Sequence, residues 1–328
     1  MVILIWGIEQ ARSIVIFFLI SIFISILGIS AMHWLERKHI PSTIAVFIVV
    51  GSMIIIVLFI GAVVGTSINK FLEALPFYQT TIIEQVISLQ TLLAEKGIKI
   101  NEELLFKYIN IDNIMSLTAK LLTGLGTLLS NIFIILLMFT FILLESSSFL
   151  LKFKMLFNDS NKDFNKFSNF INNVKRYMVI KTIVSLITGF LIGLWLYIIG
   201  VDLPILWGFI AFALNYIPNV GSIIAAIPAI LLSLVQLGAG SAIQSAVGYI
   251  VVNFSLGNII EPRLMGRKLG LSTLVVVVSL IFWGKLLGPI GAVLSIPLTM
   301  VLKLAFENSE NTHWIAVLLG PELPPKNT

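Results

Sequence analysis

The chain has 328 residues, 58% of them hydrophobic and only 11% charged, with a net charge of +5 and no cysteine. Soluble domains carry about 25% charged residues, so this chain cannot cover a globule of its size with polar surface; the missing cysteines exclude disulfides, thiolate metal sites and cysteine nucleophiles. Its lysines and arginines stand at the edges of apolar blocks, so the basic balance reads as membrane orientation and not as nucleic-acid binding.

Residues 1–8 (MVILIWGI) are apolar but too short to cross a bilayer, which takes about twenty residues. They read as a half-span, a signal-like start or the remnant of a longer segment, and cleavage is rejected because the apolar run resumes past Arg12. Two long blocks follow, 13–34 and 43–66, joined by LERKHIP (35–41). The character then changes over 67–126, where six acidic residues and five lysines appear and Pro76 is expected to stop the entering helix. Ile82, Val86, Leu89 and Leu93 recur at helical spacing beside Glu84, Gln85, Glu95 and Lys96, which predicts an amphipathic helix outside the hydrocarbon.

A third span, 128–144, is expected to end at Glu145-Ser-Ser-Ser. The linker 146–178 is basic, with Phe164, Phe167, Ile171, Val174 and Met178 along one face. Such a helix lies on an anionic membrane surface or packs on the protein's own cytoplasmic side. A fourth span, 182–199, contains Gly189-x-x-x-Gly193, a spacing that lets helices approach closely. Beyond it the blocks become irregular: 204–237 is broken at Pro218 to Gly221 and carries Pro228, 242–260 is an ordinary span, and 271–305 is broken around Gly288, Pro289 and Gly291 and carries Pro297.

Short loops rich in lysine and arginine stay in the cytoplasm. Residues 146–181 hold seven such residues and 261–270 hold three, whereas 200–204 and 237–242 hold none. Segment 204–237 must then leave and return to the outer side, and 271–305 the inner side. Both carry a glycine followed by an apolar run and Ile-Pro, VGSIIAAIP at 220–228 and IGAVLSIP at 290–297. Paired, interrupted hydrophobic segments point to a transporter substrate site, because broken helices free backbone groups that are tolerated at membrane depth only beside a cavity or ligand. Ordinary kinks at proline and glycine are the plainer reading.

The sequence therefore predicts an all-α, polytopic helical membrane protein of about seven to eight transmembrane segments, counting two re-entrant helical hairpins of opposite orientation. It divides into N-terminal transmembrane helices (1–66), a small extramembranous helical region (67–126), a transmembrane helix (127–145), a basic cytoplasmic amphipathic linker (146–178), a C-terminal transport core (179–306) and a cytoplasmic tail (307–328).

LERKHIPSTIAV (35–46), ALPFYQ (74–79), LWGFIAFALNYIPNVGSIIAAIPA (206–229), VNFSLGNIIEPRLMGRKLGLS (252–272) and FWGKLLGPIGAVLSIPLT (282–299) resemble the autoinducer-2 exporter family of bacterial inner-membrane proteins. The resemblance covers nearly the whole chain in order. It departs at the N-terminus, where the family carries a fuller hydrophobic segment, and at Lys285, where an aromatic or aliphatic residue is usual. It implies about eight transmembrane segments, an inner-membrane location, export of autoinducer-2 or, in some members, sodium(lithium)/proton antiport, and a homo-oligomer, expected to be a pentamer.

The chain has no GxxxxGK[ST] loop, HExxH or GxSxG, and His33, His39 and His313 are scattered. No enzyme, cofactor or metal is implied. Asn215, Asn219, Asn253 and Asn258 lie at or beside apolar segments. They are candidates to bind a small polar solute such as autoinducer-2 or a partly dehydrated monovalent cation; alternatively they satisfy backbone groups freed by Pro218, Pro262 and the hairpin breaks. Glu261 and Asp202 are candidates for ion or proton coupling, since a carboxylate in the membrane is expensive and usually functional. Glu261 could instead pair with Arg263, Arg267 or Lys268. Lys285 is expected to snorkel to the cytoplasmic face. The readings are a secondary transporter without ATP, exporter or cation/proton antiporter, and a non-transporting scaffold seated in the lipid bilayer whose basic linker and 67–126 region bind partners.

Overall fold

Blocks such as IVIFFLISIFISILGI can satisfy their backbone groups in hydrocarbon only by becoming helices or closing a barrel. The computed structural model describes residues 12–95, 119–120, 122–124, 131–156, 161–218, 220–265, 271–307 and 311–320, and every regular element among them is a helix. In order these are α1 (Arg12–Glu36), α2 (Ser42–Glu95), α3 (Ile132–Leu156), α4 (Asn161–Ile199), α5 (Pro204–Leu214), α6 (Val220–Leu237) and α7 (Ala239–Asn253). A π-helical turn (Phe254–Ile260) carries α7 into α8 (Glu261–Met265); α9 (Thr273–Leu287), α10 (Pro289–Val293), α11 (Ser295–Glu307) and α12 (His313–Leu318) follow. Among the described residues five helices are long and apolar enough to cross a membrane: Arg12–Glu36, Ser42–Tyr78, Ile171–Ile199, Val220–Leu237 and Ala239–Met265. The shorter Ile132–Ser146, Pro204–Leu214 and Thr273–Leu287 are also apolar. The expectations for residues 1–8, for the 96–118 part of the extramembranous region, for Asn219, Arg267 and Lys268, and for the end of the tail lie outside the described residues.

One expected helix end is corrected. Pro76 does not stop the second helix, which runs unbroken from Ser42 to Glu95. Proline removes one hydrogen bond, but Phe71 and Tyr78 on either side are buried in the core and hold both flanking turns in line. The apolar part of α3 runs from Ile132 to Ser146, close to the expected end of the third span, and the helix itself continues to Leu156, since Glu145 and the serines after it weaken a helix without breaking it. The amphipathic helix of the basic linker is likewise one with the following span, in α4. Its Val174, Tyr177 and Met178 are buried against Phe23, Met265 and the C-terminal helices, so this part packs on the protein itself.

Glycine sets the closest helix contacts. Gly189 and Gly193 on α4 face Gly208 on α5, and a Cβ at Gly189 would lie 2.6 Å from the Gly208 carbonyl oxygen. The Gly-x-x-x-Gly spacing therefore works as expected, with a single glycine as its partner.

Helices α5 and α6 form an antiparallel pair. At its tip a Cβ on Gly221 would overlap the Leu214 carbonyl oxygen. At its base the Asp202 N–H donates to Gln236 Oε1 at 3.0 Å. Helices α9 and α10–α11 form a second pair on the same plan, with Gly291 set against the Trp283 carbonyl oxygen and the Thr299 hydroxyl 2.8 Å from that of Ser279. One core joins the first pair to α2, α4 and α7 around Trp207, and a second joins the other pair to α1 and α4. Outward faces stay apolar, with Phe47, Phe59, Phe133, Phe190 and Ile250 all exposed, as lipid-facing surface requires.

Candidate functional site

The inner face of α4 starts polar and turns apolar. Lys181, Ser185 and Thr188 are buried there, and Ile192 and Leu196 continue the same face. The turn after α5 is fastened to this polar stretch: Asn215 Nδ2 donates to Ser185 Oγ at 2.9 Å and the Tyr216 hydroxyl donates to Thr182 Oγ1 at 2.8 Å.

The π-helical turn faces it from the other side. The Glu261 N–H donates to the Leu256 carbonyl, five residues back, which widens the turn. Such turns are rare and recur at functional sites. Asn253, Gly257, Asn258 and Glu261 are thereby presented together to a cavity of about 290 Å³, which Lys181, Asn215, Pro218 and Ser222 also line.

At this cavity Lys181 Nζ lies 2.8 and 2.9 Å from the two carboxylate oxygens of Glu261. Lys181 is only 5% exposed. An ion pair this sheltered is held by both partners, since either alone would be an uncompensated buried charge. Glu261 thus pairs with a lysine eighty residues away, not with its neighbour Arg263. The guanidinium of Arg176 instead donates to the Leu264 carbonyl at 3.2 Å.

The structure brings Asn215, Asn253, Asn258 and Glu261 together around one cavity, with Pro218 at its edge. Asp202 is elsewhere, in the turn beyond the far end of α4, about 27 Å along the helix from Lys181. There its carboxylate accepts hydrogen bonds from the Tyr78 hydroxyl at 3.4 Å and from Gln236 Nε2, and its carbonyl accepts one from Trp207 Nε1 at 3.0 Å. This cluster ties α2, the α4–α5 turn and the end of α6 together. Among the hinge residues, Gly221 and Gly291 sit at the tips of the two pairs, and Gly288 has a left-handed φ of 70° that precedes Pro289 at the start of α10. Pro228 and Pro297 are buried within α6 and α11. Lys285 is exposed in the last turn of α9.

Sequence reasoning missed Lys181, Thr182, Ser185, Tyr216 and Ser222. A usable signal existed, because Lys181, Ser185 and Thr188 recur at helical spacing on an otherwise apolar span.

The family described as AI-2E family transporter matches residues 1–311. The chain is 39% identical over 320 residues to the AI-2 transport protein TqsA of Escherichia coli K12, covering 98% of this chain and 93% of that protein. It is 36% identical over 325 residues to a Haemophilus influenzae protein, covering 97% and 93%, and 32% identical over 324 residues to YhhT of Escherichia coli K12, covering 99% and 93%. The last two are described only provisionally as transport proteins, with no named substrate.

Proposed function

The chain belongs to the AI-2E transporter family, and from that premise we propose that it is a secondary transporter that exports autoinducer-2 or a similar small polar solute across the bacterial inner membrane. One observation carries the reading: three carboxamides, a serine and a part-buried ion pair converge on a cavity of about 290 Å³ where two helical breaks meet. Carboxamides both donate and accept hydrogen bonds, which suits a polyhydroxylated solute. The similarity to TqsA supports autoinducer-2 as that solute.

In this reading the pairs 204–237 and 271–305 are re-entrant hairpins of opposite orientation within a transport core, 179–306, and 67–126 lies outside the cytoplasm. The charge pattern supports this, with basic residues at 146–181 and 261–270 and none at 200–204. The cavity then lies in the cytoplasmic half, and Ile192, Leu196, Leu206 and Trp207, all fully buried, seal the outer half. The protein acts as a homo-oligomer, with a pentamer as the family expectation.

A second reading, cation/proton antiport, draws on the Glu261 carboxylate in the same cavity. Proteoliposomes separate the two. Autoinducer-2 movement without an imposed ion gradient supports the exporter; sodium or lithium movement against a proton gradient, with no autoinducer-2 movement, supports the antiporter.

A further inference from the structure

A second cavity shares no lining residue with the one just described. It measures about 640 Å³ and lies where the end of α1 meets α4, lined by Ser30, His33, Trp34, Glu36, Arg37 and Lys175. Its one carboxylate is occupied: Glu36 accepts the Ser42 hydroxyl at 2.6 Å and has His33 Nε2 at 4.0 Å. Arg37 and Lys175 have no ion-pair partner among the described residues. Nearby cations are turned to other work, Arg176 to the Leu264 carbonyl and Lys38 to the ring of Trp34, 3.9 Å from its centroid. Two positive charges without an ion-pair partner therefore line the same open space.

Apolar surface follows in the chain directly after Ser42, whose hydroxyl is bonded to Glu36 of this cavity. Ser42 starts α2, and within its next two turns Ile44, Phe47 and Ile48 are 51%, 71% and 44% exposed. Trp34, on the rim, is 56% exposed, as an indole at the headgroup level would be. A free phosphate would answer the two charges and leave the apolar stripe idle. A phosphate joined to acyl chains answers both.

We propose that this cavity is a binding site for an anionic phospholipid, with the phosphate held by Arg37 and Lys175 and an acyl chain lying along Ile44, Phe47 and Ile48. A cation near an anionic lipid surface contributes about fivefold in affinity. The test uses the full chain, purified in a neutral detergent, with bound lipid counted by native mass spectrometry. Phosphatidylglycerol should bind at a saturable site, phosphatidylcholine should not, and millimolar inorganic phosphate should fail to displace it.

The double variant Arg37→Gln, Lys175→Gln should lose about twentyfold or more in phosphatidylglycerol affinity. The variant Arg37→Lys, Lys175→Arg should keep binding, as should Lys285→Gln, which lies elsewhere. Equal binding of the two lipids, or displacement by phosphate, would overturn the proposal even if the double glutamine variant fails to fold. So would unchanged affinity in that variant.

Discussion

Lys181 and Glu261 hold each other through both carboxylate oxygens, at 2.8 and 2.9 Å, across eighty residues of chain and on the wall of a cavity. The pair ties α4 to the helix that follows the π-helical turn. Its position makes it both a structural clasp and the only ion pair at the cavity among the described residues.

Removing one partner should therefore cost far more than removing both. Lys181→Met or Glu261→Gln alone leaves a sheltered charge or donor unmatched and should destabilise by about 3–5 kcal/mol. The double variant should recover most of that loss. Thermal unfolding of the four proteins in one detergent gives the cycle, and additive single effects would show that the two side chains act independently.

Glu261→Gln also separates the two transport readings when combined with Lys181→Met. A facilitated exporter needs no titrating group and should retain most of its autoinducer-2 flux in the double variant. An antiporter should lose cation-driven proton movement, read as the decay of an imposed pH gradient in liposomes.

Asn215, Asn253 and Asn258 should each contribute hydrogen bonds to solute. Replacement by alanine is expected to weaken apparent affinity by about 0.5–1.5 kcal/mol, or roughly two- to tenfold, with maximal rate less affected. Asn215→Ala should in addition lower stability, because its amide also holds Ser185. Concentration dependence of solute flux, alongside thermal unfolding, distinguishes the three.

At Gly221 and Gly291 any side chain would collide with a backbone oxygen of the opposing helix, Leu214 and Trp283 respectively. Valine at either should pry the tip apart at a cost of about 1–3 kcal/mol or more and reduce flux more than it reduces membrane insertion. Gly65→Ala is the control, since a Cβ there meets nothing within 4 Å. Full flux in a well-expressed Gly221→Val, Gly291→Val double variant would show that the tips need not approach.

Thiol labelling tests the orientation, and the natural chain has no cysteine to interfere. Ala239→Cys, beside the base of the first pair, should react with an impermeant reagent only from outside the cell. Arg263→Cys should react only from the cytoplasm. The reverse pattern would invert the topology.

The sequence announced the helices because hydrocarbon leaves a chain few options, and it announced the two interrupted pairs because glycine and proline mark their breaks. Asn215, Asn253, Asn258 and Glu261 were also legible, being polar residues where polarity is costly. Other features were not. Helical spacing with Ser185 and Thr188 marks a polar face that includes Lys181, but nothing local says that the partner of Lys181 is Glu261. The π-helical turn left no mark either: FSLGNII has no residue type that demands it. Pro76 was read too strictly, because helix rules weigh the lost hydrogen bond and not the packing of Phe71 and Tyr78 around it.

The unbroken course of α2 also sets how far the molecule reaches. Its 54 residues make a rod about 80 Å long, against a hydrocarbon layer of about 30 Å. Even at a tilt of about 40° that layer can hide only some 40 Å of it. The other half stands clear of the hydrocarbon and part of it clear of the headgroups as well, so a bulky probe drifting in from that side meets this mast before it meets the membrane.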